Sequence, residues 1–281
     1  MPPRSSRRST PSATARLLRI LGDSARVARR KRRHGRPRFR CRGTGLALGA
    51  PGYYRRNFHY QTDGYLSERS ADLYEHQVEL LRGGADAMRR LVLAPDEGAS
   101  GGDPCGLRLL ELGSGTGGAN ALGRACLPEA RITCIDLSPP YTRFAREQLR
   151  GFRRVECLQG DAADLRLRRQ TLRRRLLGLP FHELPLPRQG ARARGGAPGA
   201  EARRLRSRRL AAAGRRPELD WAPDVFPREF HGALLRALRR EPDGGAAADA
   251  GFEAIESSTG YLAKCIAARA PTTAGTDQSG R

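Results

Sequence analysis

From Ser67 onward apolar side chains recur every three or four positions, at Ala71, Tyr74, Val78 and Leu81. That period predicts a helix with one face turned inward. Gly83-Gly84 breaks it, and a second short helix is expected through Met88 to Leu93. At 107 the period changes. "LRLLEL" is the continuous apolar run of a buried strand, "GSGTGG" a turn, "ANALGRACL" a helix and "RITCID" a second strand. "SPPYTRFAREQLRG" follows as a helix, with Ser138 as its N-cap and proline in its first turn. "RRVECLQGD" is a third strand running into a turn. Strands alternating with helices at this spacing form βαβ units and a parallel sheet. Near the end, apolar and polar residues alternate on both sides of "SSTG", which predicts an antiparallel hairpin near 252–257 and 261–268.

Two stretches break the pattern. Residues 1–52 are Arg- and Ser-rich and read as a disordered basic tail. Residues 165–216 contain no Val and no Ile, the residues a buried parallel strand favours. They are expected to be poorly ordered and to leave central strands four and five degraded or missing. Recognisable islands such as "FHELP" and "RPELDWA" between Arg/Gly/Ala/Pro filler resemble GC-rich DNA read out of frame and back. The expected organisation is a tail (1–52), a helical lead-in or lid (53–106), an α/β domain (107–268) and a disordered end (269–281).

The net charge of +23 suggests a nucleic-acid partner until its placement is considered. Residues 1–50 and 165–216 carry +14 each, which leaves −5 on the rest. All but two of the 52 basic residues are Arg, a codon bias more than a phosphate-binding surface. Little aromatic residue interleaves the Arg runs, which argues against sequence-reading RNA contacts. A basic RNA-binding protein is retained as an alternative. The six cysteines show neither CxxC pairing nor metal-ligand spacing, so no metal and a reducing compartment are expected. No apolar run is long enough to span a membrane. The expected location is cytoplasmic, or organellar if residues 1–50 are a transit peptide.

The turn after 112 carries the chemistry. Gly113, Gly115 and Gly118 satisfy the dinucleotide pattern GxGxxG, and Glu111, Gly113, Gly115 and Gly117 satisfy a looser acidic one. Glu111 decides between them: a pyrophosphate docked on this turn would face a carboxylate, whereas an ammonium or sulfonium would be attracted. S-adenosylmethionine carries both cations and no phosphate. Asp136 ends the second strand, where it can accept from both ribose hydroxyls. Asp161 ends the third, where it can accept from an adenine amino group. Leu137 and Ala162 would line the adenine slot.

In order and spacing, "LELGSGTGG", "CIDLSPPYTRFAREQL" and "VECLQGDAADL" resemble the first three motifs of class I S-adenosylmethionine-dependent methyltransferases. "GFEAIESSTGYLAKCIAAR" resembles the hairpin that closes the sheet of that fold. "NFHYQTDGYLSERSADLYEHQVELL" and "FHELP" resemble a small-molecule subgroup with a helical lead-in. The resemblance covers roughly 53–164 and 217–268. It implies a Rossmann-like parallel sheet and methyl transfer to a small-molecule acceptor. Backbone of Gly113, Ser114, Gly115 and Gly117 would hold the cofactor's amino-acid end, oriented by Glu111. His182 and His59 are the implied substrate-side groups. The Arg-rich stretch stands where the family has its fourth and fifth strands, so an inactive remnant is a further alternative. An NAD-dependent oxidoreductase is disfavoured by Glu111. Nothing in the sequence sets an oligomeric state.

Overall fold

The computed structural model describes residues 13–34, 49–51, 54–55, 63–82, 86–87, 89–90, 108–119, 127–162, 175–177, 205–210, 245–249, 251–260 and 263–269. Among the described residues, the helices α1 (Ala13–His34) and α2 (Glu68–Arg82) precede the sheet. The α/β part then runs β1 (Arg108–Leu112), β2 (Arg131–Asp136), α3 (Pro139–Leu149), β3 (Val155–Gln159), β4 (Arg175–Leu177) and β5 (Leu205–Leu210). A single helical turn, Gly245–Ala248, leads to the hairpin β6 (Glu253–Gly260) and β7 (Ala263–Arg269).

Seven strands form one sheet in the order β3-β2-β1-β4-β5-β7-β6. β1 to β5 pair in parallel, and β7 runs antiparallel to both β5 and β6. β1 lies in the sheet interior between β2 and β4, with Leu109, Leu110 and Leu112 at most 1% exposed. The core beside it gathers Leu127, Ile132, Cys134, Ala145, Leu149 and Cys157. Cys134 and Cys157 face each other across β2 and β3 as free thiols. The Cys134 S–H donates to the Cys157 sulfur, and that bond together with burial pushes the Cys134 thiol up, so it stays protonated and acts as a small apolar residue.

The expected loss of strands four and five is corrected. β4 pairs with β1 through Glu111↔Leu176 and Leu112↔Leu177, and β5 pairs with β4 from Arg175↔Leu205 to Leu177↔Ser207. A parallel ladder is made by backbone N–H and C=O groups, so a Leu- and Arg-rich segment can enter it once neighbours offer an edge. β5 has such an edge on each side, and its six residues pair with β7 from Leu205↔Ala268 to Leu210↔Ala263. The Val/Ile deficit shows in the length of β4, three residues.

The expected disordered tail is corrected over 13–34. α1 buries Ile20 and lays cationic side chains on acids of α2: Arg16 reaches Asp72 at 3.6 Å and Arg19 reaches it at 3.7 Å. Arg16 also hydrogen-bonds His76 Nε2 at 3.0 Å. Asp23, the lone acid of residues 1–50, is buried between Arg26 and Arg69. The charge that reads as solvated along the chain is therefore partly matched by α2.

The hairpin falls close to the expected positions, with one irregularity between Glu253 and Glu256, where Ala254 takes φ 47°. Ser138 caps α3: its Oγ accepts from the Tyr141 N–H at 3.2 Å and donates to the Tyr65 carbonyl. Ser138→Ala removes a cap and a tie to the lead-in segment together. A loss of about 1–2 kcal/mol in denaturant-unfolding stability is expected.

Candidate functional site

The strand order reverses at β1, with β2 and β3 on one side and β4 on the other. In open α/β sheets the crevice beyond such a reversal, at the carboxyl ends of the strands, is where ligands bind. The glycine turn opens directly into it. Gly113, Gly115 and Gly117 adopt φ of 70°, 59° and 90°, a left-handed region that any side chain would strain. The Gly113 and Ser114 N–H groups both donate to the Ile135 carbonyl, at 2.7 and 3.1 Å, which pins the turn to the end of β2. The Gly160 N–H donates to the Asp136 carbonyl at 2.9 Å, which ties β3's exit to the same place.

The three acids singled out by the sequence fall on the ends of these adjacent strands. Glu111 is 4% exposed and sits one residue before β1 ends. Asp136 is the last residue of β2 and is level with Gln159 of β3, and Asp161 follows two residues beyond. The Asp136 carboxylate already has structural work. One oxygen accepts from the Gly115 N–H and the other from the Ser138 N–H, each at 2.8 Å. Each carboxylate oxygen has a second lone pair, so two hydroxyl donors can be accommodated as well. Ser114 is buried, and Leu137, Asp161 and Ala162 are half-buried at the mouth. His59 and His182 lie outside the described residues, as do Trp221, Phe226 and His231.

Sequence reasoning missed the wall that α2 raises against the turn. Tyr74 lies against Gly115, where an added Cβ would meet its ring at 3.4 Å. Tyr65, Tyr74 and Tyr141 form an edge-to-face trio with ring centres 5.2–6.0 Å apart. Ser70 bonds the Tyr141 hydroxyl at 2.9 Å and the Gly64 carbonyl at 2.6 Å, joining lead-in and α3. The helical period had placed Tyr74 on the inward face, so the signal for it was present. For Glu75, one position along, there was none.

Glu75 binds the turn itself. One of its oxygens accepts from the Thr116 hydroxyl, and the other pairs with Arg89 Nη1 at 2.7 Å. Arg89, 6% exposed, also pairs with Asp86 at 2.8 Å. Burial opposes the guanidinium's charge, but the Glu75 carboxylate outweighs it and raises Arg89 above its usual range. A Cβ at Gly118 would come within 2.6 Å of Glu75 Oε2 and 2.7 Å of Arg89 Nη1. The last glycine of the GxGxxG spacing thus makes room for an ion pair. A phosphate on this turn would meet the Glu111 carboxylate, whereas a cation would not be repelled.

This sheet order and acidic glycine turn resemble those of class I S-adenosylmethionine-dependent methyltransferases. Residues 109–192 match the family model described as a methyltransferase domain, a match that continues past β3 through β4. Solved methyltransferases share the fold. The CurJ carbon methyltransferase is 15% identical with a TM-score of 0.55, covering 74% of this chain and 62% of its own. Human N-acetylserotonin methyltransferase, solved with S-adenosylmethionine, is 17% identical with a TM-score of 0.56, covering 91% and 68%. The mitomycin 7-O-methyltransferase MmcR is 16% identical with a TM-score of 0.51, covering 91% and 68%. The chain thus spans under two thirds of the CurJ domain's length. No curated protein matches the sequence.

Proposed function

We propose that this chain transfers the methyl group of S-adenosylmethionine to a small-molecule acceptor. The observation that carries the reading is Glu111, a carboxylate 4% exposed at the end of the central strand, directly before a turn with three left-handed glycines. That turn offers backbone to a ligand, and its acids favour one with a positive centre. When bound, S-adenosylmethionine supplies a methyl group already activated by its sulfonium.

The chain's part is then alignment and exclusion of water. Glu111 orients the amino-acid end. Gly113, Ser114, Gly115 and Gly117 hold it with backbone. Asp136 accepts from the ribose hydroxyls while bracing the turn, and Asp161 accepts from the adenine amino group between Leu137 and Ala162. The tyrosines of the lead-in supply an apolar wall on the acceptor side. A base is needed only where the acceptor atom must lose a proton, and we assign that role to His182 or His59. The likeness to enzymes named for a carbon, a serotonin derivative and a mitomycin acceptor supports a small molecule. The pairing of β4 and β5 into the sheet between β1 and β7 supports this reading over that of an inactive remnant.

Calorimetric titration with S-adenosylmethionine, S-adenosylhomocysteine and NAD tests this. Micromolar binding of the first two and none of the third is the expected result. No heat and no thermal shift with either adenosyl compound would overturn it. Described helices include none long and apolar enough to cross a membrane.

A further inference from the structure

The group that the methyl-transfer chemistry does not use is the Glu75–Arg89 pair. Three separate pieces of chain meet there: α2 through Glu75, the segment at 86–90 through Arg89 and Asp86, and the glycine turn through Thr116 and Gly118. Thr116 is 1% exposed and Arg89 6%. Charge-assisted hydrogen bonds at buried positions are short and directional, and they resist rearrangement. The turn is also held by a separate bond, from the Gly115 N–H to Asp136.

We infer that Glu75 is a positioning residue: held by Arg89, it clamps Thr116 from behind and sets the glycine turn in its ligand-ready form. The inference rests on the proposed cofactor reading and adds a regulatory consequence to it. The lead-in and the cofactor turn form one thermodynamic unit. Ligand that orders the turn must also order α2, and by reciprocity a partner that prefers the ordered lead-in raises cofactor affinity by the same factor by which the cofactor raises its own. Gly118 belongs to this device: it keeps the space in which the carboxylate and guanidinium meet.

The test compares the parent chain with Thr116→Val, which removes the tie but keeps the shape, and with Glu75→Gln, which removes the charge but keeps an acceptor. Affinity for S-adenosylhomocysteine is measured by calorimetry, and amide exchange is followed with and without it. In the parent, ligand is expected to slow exchange both in 113–118 and across 68–82. In Thr116→Val affinity should fall roughly tenfold, and the slowing should be confined to the turn. A purely structural role would speed exchange in free and bound forms alike and leave the ligand-induced difference intact. Glu75→Gln keeps the comparison available if Thr116→Val does not fold. Equal affinities within about twofold, with the same protection across 68–82, would overturn the inference while leaving the cofactor reading in place. Failure of the parent itself to bind would overturn both.

Discussion

Asp136→Ala is expected to abolish measurable binding of S-adenosylhomocysteine, a loss of at least a hundredfold in affinity. Two effects coincide at this side chain. It is the acceptor for the Gly115 and Ser138 N–H groups, each at 2.8 Å, at a site only 8% exposed. Removing it leaves two backbone donors without their partner in a region water reaches poorly, at about 1–3 kcal/mol each. Removing it also takes away the proposed ribose acceptor, whose charge-assisted bonds contribute about 1.5–3 kcal/mol. Asp136→Asn separates the two contributions. One amide oxygen can still accept from one N–H, so the fold should suffer less, while the second acceptor becomes a donor that faces another donor. Calorimetry beside thermal unfolding resolves them. If Asp136→Ala binds ligand as the parent does, the carboxylate is a structural brace only.

Gly117→Ala should produce the largest loss of stability among single substitutions in the turn, about 2–6 kcal/mol. The backbone there has φ 90°, and an added Cβ would lie 2.9 Å from Leu149 Cδ1 and 3.4 Å from Ala145 Cβ. The first term is conformational, about 1–3 kcal/mol for a side chain held outside its allowed region. The second is overpacking against α3 in a core where Ala145 is 0% and Leu149 3% exposed, about 1–3 kcal/mol. A fall of roughly 5–15 °C in the unfolding midpoint is expected, read by calorimetry or circular dichroism. Gly22→Ala is the matched control, since nothing lies within 4 Å of its added Cβ and its backbone is helical. A midpoint for Gly117→Ala within a degree or two of the parent would show that α3 yields freely, contrary to its close packing.

The glycine turn shows how one motif can be right for more than one reason. Its spacing fits a phosphate-binding pattern, yet each glycine answers to a different neighbour. Gly115 leaves room for the Tyr74 ring, Gly117 for Leu149 and Gly118 for the Glu75–Arg89 pair. The four residues that impose these conditions lie at least 29 positions away along the chain, so no local reading of "GSGTGG" reaches them. Only Glu111, adjacent in sequence, was available to argue against phosphate.

The same distinction governs the rest of the fold. The period of apolar residues was sufficient for α2, for β1 to β3, for α3 with its Ser138 cap and for the closing hairpin. Each buries a face or a run of its own residues, and that is written in local order. β4 and β5 were not legible, because their places depend on edges offered by β1 and β7 and their own residues argue weakly for strand. α1 was not legible, because its charges are balanced by Asp72 on a different helix. Asp136 was readable as an acid at a strand end, but its grip on the Gly115 and Ser138 amides was not. By itself, then, the sequence determined α2, β1 to β3, α3 and the hairpin and which acids stand beside the glycine turn, since propensity and burial act over a few neighbouring residues. Tertiary structure alone decided which strands fill the sheet's centre and what presses on the turn from behind, because those contacts join residues that only folding brings within hydrogen-bonding and van der Waals range.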